Sequence, residues 1–212
     1  FYPVDPTSRY DAYVGGTLAC NASGFIPGEK GATRYWVKEI ELLLPSGYCI
    51  IARKGQYISK NGIFVIKIGS QTIELNIPQY KRPKIKNASG PYSASNGKID
   101  FVDLIVGSEG IYGLITSCKL KLEENPRNHL ELFMTLGSED KAIDFHDFLY
   151  KKFNGEMSKI TALEYFGYNS QKYMNHREFL FKKETDVGIY IQIPIFTKTF
   201  DATTEEWVNL IT

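Results

Sequence analysis

The sequence predicts an α+β fold in two parts. Three observations carry that expectation: hairpin-like strand pairs dominate the first half, alternating strand and helix patterns follow Pro126, and the stretch Lys81 to Asp100 between strand signals is loop-like, rich in Pro, Gly, Ser and Asn. With 212 residues, 43% of them hydrophobic and 23% charged, the chain can bury one large core or two modest ones. Residues 1–125 form the first expected part and 126–212 the second, with a boundary near Glu123 to Arg127.

Trp36 to Leu44 is partly alternating, ends in the turn Pro45-Ser46-Gly47 and resumes from Tyr48 to Ala52, which reads as a hairpin. Ile63 to Ile68 and Thr72 to Ile77 flank Gly69-Ser70 as a second hairpin, and Leu114 to Leu122 alternates as a half-buried strand should. After Pro126, Leu130 to Leu136 reads as a strand. Ser138 then caps a helix with Glu139 and Asp140 in its first turn, where acidic side chains suit the helix dipole. Ile160 to Phe166 reads as a strand, Ser170 to Phe181 as a helix, Val187 to Phe196 as a strand of period two, and a last helix begins near Thr203 or Thr204. This β-α-β-α-β order suits helices packed on one face of a sheet.

Composition excludes several classes. A formal charge of +1 gives no field for nucleic acid or an anionic membrane, and no apolar run approaches the length of a membrane span. Cys20, Cys49 and Cys118 are odd in number and scattered, so they suggest neither a disulfide framework nor a zinc site, and a cytoplasmic setting, or one peripheral to a membrane, is the expectation. His129, His146 and His176 fall in separate elements with no metal-binding spacing. No nucleophile elbow or phosphate-binding P-loop is present. Phe1 at the start, and a last helical run that stops at Thr212 without a capping signal, read as cut ends.

Two segments are candidates for chemistry. Gly107, Gly110 and Gly113 recur at every third position between apolar runs, which suits a tight turn where the backbone approaches a ligand closely; the plainer alternative is a glycine turn joining two strands. Val14-Gly15-Gly16-Thr17 runs on to Asn21-Ala22-Ser23-Gly24, and such small residues leave main-chain N–H groups open to phosphate or ring-carbonyl oxygens; here the alternative is an ordinary loop.

Together these segments, in this order, resemble a known family: the FAD-linked oxidases and dehydrogenases of the vanillyl-alcohol oxidase type, among them D-lactate dehydrogenase, glycolate oxidase and D-2-hydroxyglutarate dehydrogenase. The matching residues are Pro3, Asp5, Pro6 and Ser8; then Ala12, Gly15, Gly16, Ala19, Asn21, Ala22, Ser23 and Gly24; then Gly31, Thr33, Arg34 and Val37; then Gly107, Ser108, Glu109, Gly110, Gly113, Ile115 and Thr116. The resemblance implies the second half of a PCMH-type FAD-binding domain followed by a partial ferredoxin-like α+β cap domain. It implies FAD as cofactor, held by Pro3, Asp5, Ser8, Gly15, Gly16, Asn21, Ser23, Gly24, Glu109, Gly110 and Ile115. The Gly15-Gly16 and Asn21 to Gly24 loops would line the pyrophosphate and isoalloxazine, and Glu109, Gly110 and Ile115 would lie near the adenosine. Lys86 and Asn87 are the substrate-side candidates. Ile111, Tyr112, Cys20 and Tyr35 depart from the family pattern.

On this resemblance the parent protein oxidises a 2-hydroxy acid or similar alcohol by hydride transfer to flavin, with an electron acceptor left open. No catalytic residue is assigned, because the family's first phosphate loop and its histidine-bearing catalytic segment have no counterpart in this sequence. Two alternatives stand beside it: a flavin-free binding module, and an oxygen-using flavoprotein oxidase of sugars or aromatic alcohols.

Overall fold

The structure, a computed structural model, describes residues 1–77, 96–174 and 180–211. The chain divides into two compact units: Phe1–Gly24 with Gly28–Glu123, and Phe25–Pro27 with Glu124–Thr212.

In the first unit, β1 (Val37–Leu43) pairs antiparallel with β2 (Cys49–Arg53) and with β5 (Leu114–Leu120), giving the order β2-β1-β5. A separate hairpin, β3 (Ile63–Ile68) and β4 (Gln71–Asn76), places Phe64 opposite Leu75 and Ile66 opposite Ile73. Period-two patterning decides which face each strand buries. Ile40, Leu42, Ile50, Ala52, Phe64 and Ile66 all turn into one core, each at most 5% exposed. An apolar cavity of about 400 Å³ remains in this core between Leu42, Ile50, Ile66, Ile73 and Leu104.

Two short helices stand where the sequence suggested loop or strand. Val14–Ala19 forms α1, so Gly15 and Gly16 lie in a helical first turn rather than a loop. The Thr33–Trp36 turn (α2) leads into β1. Phe101–Ile105 forms α3, buried at every position, so the glycine turn after it joins a helix to β5 and not two strands. Asp100 starts α3 by accepting the Val102 N–H at 2.9 Å, and Gly107, with φ of +88°, follows its end.

The second unit is built on β6 (Asn128–Leu136), α4 (Glu139–Lys152), β7 (Ala162–Phe166), β8 (Val187–Ile195) and α5 (Phe200–Ile211). Central β8 runs antiparallel to both β6 and β7, in the order β6-β8-β7. β6 and β7 are therefore parallel and joined through α4, a split β-α-β unit of ferredoxin-like type. Val187, Ile189, Ile191, Ile193 and Ile195 are all buried, and Ile191, Ile193 and Ile195 cluster with Leu149 of α4 and Trp207 of α5. Ser138 caps α4 as its position suggests, accepting the Lys141 N–H.

Two expectations for this unit are corrected. Ser170 to Phe181 is not a helix in its described part: a 3-10 turn, Tyr168–Tyr173, gives way to extended backbone at Met174. No residue of the Tyr168–Tyr173 turn is buried, so packing adds little there to hold a longer helix. The last helix starts at Phe200, because Thr199 Oγ1 accepts the Ala202 N–H at 3.2 Å; Thr203 and Thr204 instead donate back to the carbonyls of Thr199 and Phe200.

Two outcomes follow from this packing. A Cβ on Gly188 of β8 would lie 2.5 Å from Phe133 Cζ and 3.0 Å from Phe181 Cζ, so Gly188→Ala should destabilise the second unit by about 1–3 kcal/mol in urea unfolding, whereas an unchanged midpoint would show that the rings yield freely. Glu39 ties the first sheet together across three strands, accepting from Arg53 Nε of β2 at 2.6 Å and pairing with Lys119 Nζ of β5 at 2.7 Å. Lys119 first, and Arg53 with it, hold the Glu39 carboxyl below its usual value of 4.5. A lowered folded-state pKa gives stability that is present above about pH 4.5 and lost as pH falls through the lower value. Wild type should therefore exceed Glu39→Gln in thermal stability at pH 7 and lose that advantage on acidification, an advantage also reduced by salt; a margin that does not change with pH would contradict the assignment.

Candidate functional site

The motif segments, which lie far apart in sequence, meet in one hydrogen-bonded cluster of the first unit. Arg34, only 3% exposed, is at its centre. Its main-chain N–H donates to Asn21 Oδ1 at 2.9 Å, and its Nη2 donates to the Val106 carbonyl at 2.6 Å. Lys54 Nζ donates to the Arg34 carbonyl at 3.0 Å and pairs with Asp103 of α3 at 3.0 Å. The turn after α3 is sewn to the end of α1: the Gly107 N–H donates to the Leu18 carbonyl at 3.0 Å and the Glu109 N–H to the Ala19 carbonyl at 2.8 Å.

The first motif joins the same cluster. Tyr2 Oη donates to Thr33 Oγ1, which donates to the Ala22 carbonyl, each at 2.9 Å. Burial raises the Tyr2 pKa, so the phenol keeps its proton for this bond. A Cβ on Gly24 would lie 2.5 Å from the Asp5 main-chain nitrogen, so only glycine lets the Asp5 backbone approach this closely.

The candidates fall into two groups by exposure. Ser8, Gly15, Gly16, Glu109 and Gly110 are exposed, and a Cβ on Gly15 or Gly16 would meet nothing within 4 Å. The first N–H groups of a helix have no intrahelical partner, and α1 starts at Val14, Gly15 and Gly16. Glu109 and Gly110 adopt φ of +53° and +82°, so the turn is built from left-handed backbone, with Ile111 and Tyr112 exposed after it. Pro3 and Asn21 are buried, and Asn21 adopts φ of +47°, a region that Asn tolerates better than most residues.

Ser23 and Gly24 are half-buried, with Ser23 bridged to Ala32. Asp5, also half-buried, forms an ion pair with Arg9. Ile115 of β5 packs against the core. Lys86, Asn87 and His176 lie outside the described residues. No group of three or more His, Cys, Asp or Glu side chains among the described residues is placed to hold a metal ion, and no described helix is long and apolar enough to cross a membrane.

Sequence reasoning matched Arg34 to the family pattern but gave it no role, and it passed over Lys54, Asp103 and Tyr2; a buried cation and a buried carboxylate leave no periodic trace. It also missed a polar set on the face of the second sheet opposite the isoleucines that pack with α4 and α5. There Gln192 Nε2 donates to Glu131 Oε1 at 2.9 Å and Thr161 Oγ1 donates to Gln192 Oε1 at 2.8 Å. Burial first, then the Glu131 charge, raises the pKa of neighbouring Tyr190. The alternation of Tyr190 and Gln192 with buried isoleucines along β8 was the available signal.

Gly24→Ala should push the Asp5 backbone away and lower the stability of the first unit by about 1–3 kcal/mol, measured by urea unfolding. Gly15→Ala, which meets no neighbour, should leave stability within about 0.5 kcal/mol of wild type or raise it. Equal effects at the two glycines would contradict the close approach at Gly24.

No family model matches the chain. In sequence it is 26% identical over 207 residues to a D-2-hydroxyglutarate dehydrogenase of Stutzerimonas stutzeri (strain A1501), covering 97% of this chain and 35% of that protein. It is 25% identical over 211 residues to a D-lactate dehydrogenase of Anaerostipes hadrus, covering 97% of this chain and 34% of that one. In structure it resembles alkyldihydroxyacetonephosphate synthase, with a TM-score of 0.60 at 14% identity over 100% of this chain and 34% of that chain. The chain spans about a third of the length of the curated relatives it matches. These likenesses agree with the motifs: the chain resembles the FAD-linked oxidases and dehydrogenases, and its α+β fold matches a fragment of the FAD-binding PCMH-type fold.

Proposed function

We propose that this protein is an FAD-dependent oxidoreductase that oxidises a 2-hydroxy acid or similar alcohol, with residues 1–125 as the latter part of its FAD-binding domain and 126–212 as the start of a substrate-covering cap. The observation that carries this reading is the convergence of the motif segments. Residues far apart in sequence, Asn21, Arg34, Val106 and Glu109 among them, are drawn together through specific hydrogen bonds. The similarity to two dehydrogenases named for 2-hydroxy acids supports the substrate class.

The residues present suit an anionic dinucleotide in two respects. Gly15 and Gly16 offer main-chain N–H groups at an open helix start, and Glu109 and Gly110 offer an exposed turn of left-handed backbone. Ser8 adds an exposed hydroxyl. Pro3, Asn21 and Gly24 then act from beneath, fixing the loops that present these groups, and the roles of Asp5, Ser23 and Ile115 are those the family resemblance implies. When bound, FAD supplies the acceptor for the hydride that leaves the alcohol carbon as its C=O bond forms and its hydroxyl proton is released. Lys86 and Asn87 are the proposed substrate-side groups of the first part.

A flavin spectrum tests this directly. The full-length protein, mixed with FAD and freed of unbound cofactor, should show flavin absorbance that bleaches without oxygen on addition of D-lactate or D-2-hydroxyglutarate. A full-length protein that retains no FAD overturns the reading. Flavin that is bleached only by sugars or aromatic alcohols, with peroxide formed in air, would shift it to an oxygen-using oxidase.

A further inference from the structure

We propose that Arg34 is the positioning residue of the candidate flavin cradle, setting the Gly107–Gly110 turn against α1 from beneath rather than touching the cofactor; this rests on the flavin reading above. The inference starts from a cation that is 3% exposed, an environment that a guanidinium tolerates only when it is held by hydrogen bonds and nearby charge. Its Nη2 reaches the Val106 carbonyl at 2.6 Å, the cap residue of α3, where a cation satisfies a carbonyl that the helix leaves without an internal partner. The next residue, Gly107, begins the turn, and the Gly107 and Glu109 N–H groups both donate to carbonyls at the end of α1.

The Arg34 main chain is itself held at two further points, one of them tied on to α3. Asn21 Oδ1 accepts its N–H, Lys54 donates to its carbonyl, and the same Lys54 pairs with Asp103 inside α3. The end of α1, the start of α2 and the end of α3 thus meet at one residue, the end of α1 through its main-chain N–H and the end of α3 through its side chain. The exposed groups of the cradle, Gly15 and Gly16 on one segment and Glu109 and Gly110 on the other, take their spacing from these bonds. A lysine at position 34 would keep the charge but lose the planar fork that reaches Val106 while the main chain stays bound to Asn21.

The test uses the full-length protein carrying Arg34→Lys, with hydrogen exchange and FAD titration as separate readouts. Exchange at the Gly107 and Glu109 amides should rise at least tenfold, while the amides of Ile40 and Leu42 in β1 keep their protection, and the FAD dissociation constant should rise about tenfold. Unchanged protection at both turn amides would overturn the proposal whatever the flavin affinity. If wild type binds no FAD, the flavin reading fails on its own, and the exchange pattern still decides whether Arg34 positions the turn. Should Arg34→Lys not fold, Asn21→Gly keeps the positive φ and removes the side chain whose Oδ1 accepts the Arg34 N–H; it should produce the same localised loosening, and its absence there would likewise overturn the proposal.

Discussion

The buried Arg34 organises the first unit: its guanidinium, taken out of water, donates to the Val106 carbonyl, and its main-chain N–H donates to Asn21 Oδ1. Because Arg34 lies between Asn21 on one side and Val106 on the other, the chain must bring the end of α1 and the end of α3 to it. Lys54 and Asp103 extend the same arrangement into β2's trailing turn and α3. The apolar core beneath, with Ile40, Leu42, Phe64, Val102 and Ile105, gives this polar layer a rigid floor. Apolar burial supplies the bulk of the stability, while the buried hydrogen bonds select one arrangement of the loops above it.

This division clarifies what the glycines do. Gly24 is required by a close approach, since any side chain would strike the Asp5 backbone. A Cβ on Gly15 or Gly16 would meet nothing within 4 Å, so no packing within the described residues requires them. That contrast is the strongest local sign that the surface over α1 is kept clear for a ligand. The second unit shows a comparable contrast between its two sheet faces, one buried under α4 and α5 by isoleucines and the other carrying Glu131, Tyr190 and Gln192.

The strands were legible because period two is a strong signal when one face is buried: β1 with β2, β3 with β4, and β8 all fall where alternation places them. The short helices were not. α1 and α3 have six and five residues, too few to establish a helical period, and α3 is buried all round, so its apolar run could as well have been a strand. The segment from Ser170 has polar and aromatic residues near helical spacing, yet no residue of its 3-10 turn, Tyr168–Tyr173, is buried. Motif residues were legible as a set, because their order resembles a known family, but their individual tasks were not. Only coordinates separate the buried Asn21, engaged with Arg34, from the open Gly15 and Gly16.

The central claim, that these segments form one cradle for an anionic dinucleotide, is tested most directly by the exchange footprint of FAD on the full-length protein. The account expects the amides of Gly15, Gly16 and Gly110 to gain protection together on saturation with FAD, while those of β6 and β8, already paired in a sheet, change little. Protection that appears at only one of the two segments, or at neither while FAD is demonstrably bound, would contradict it.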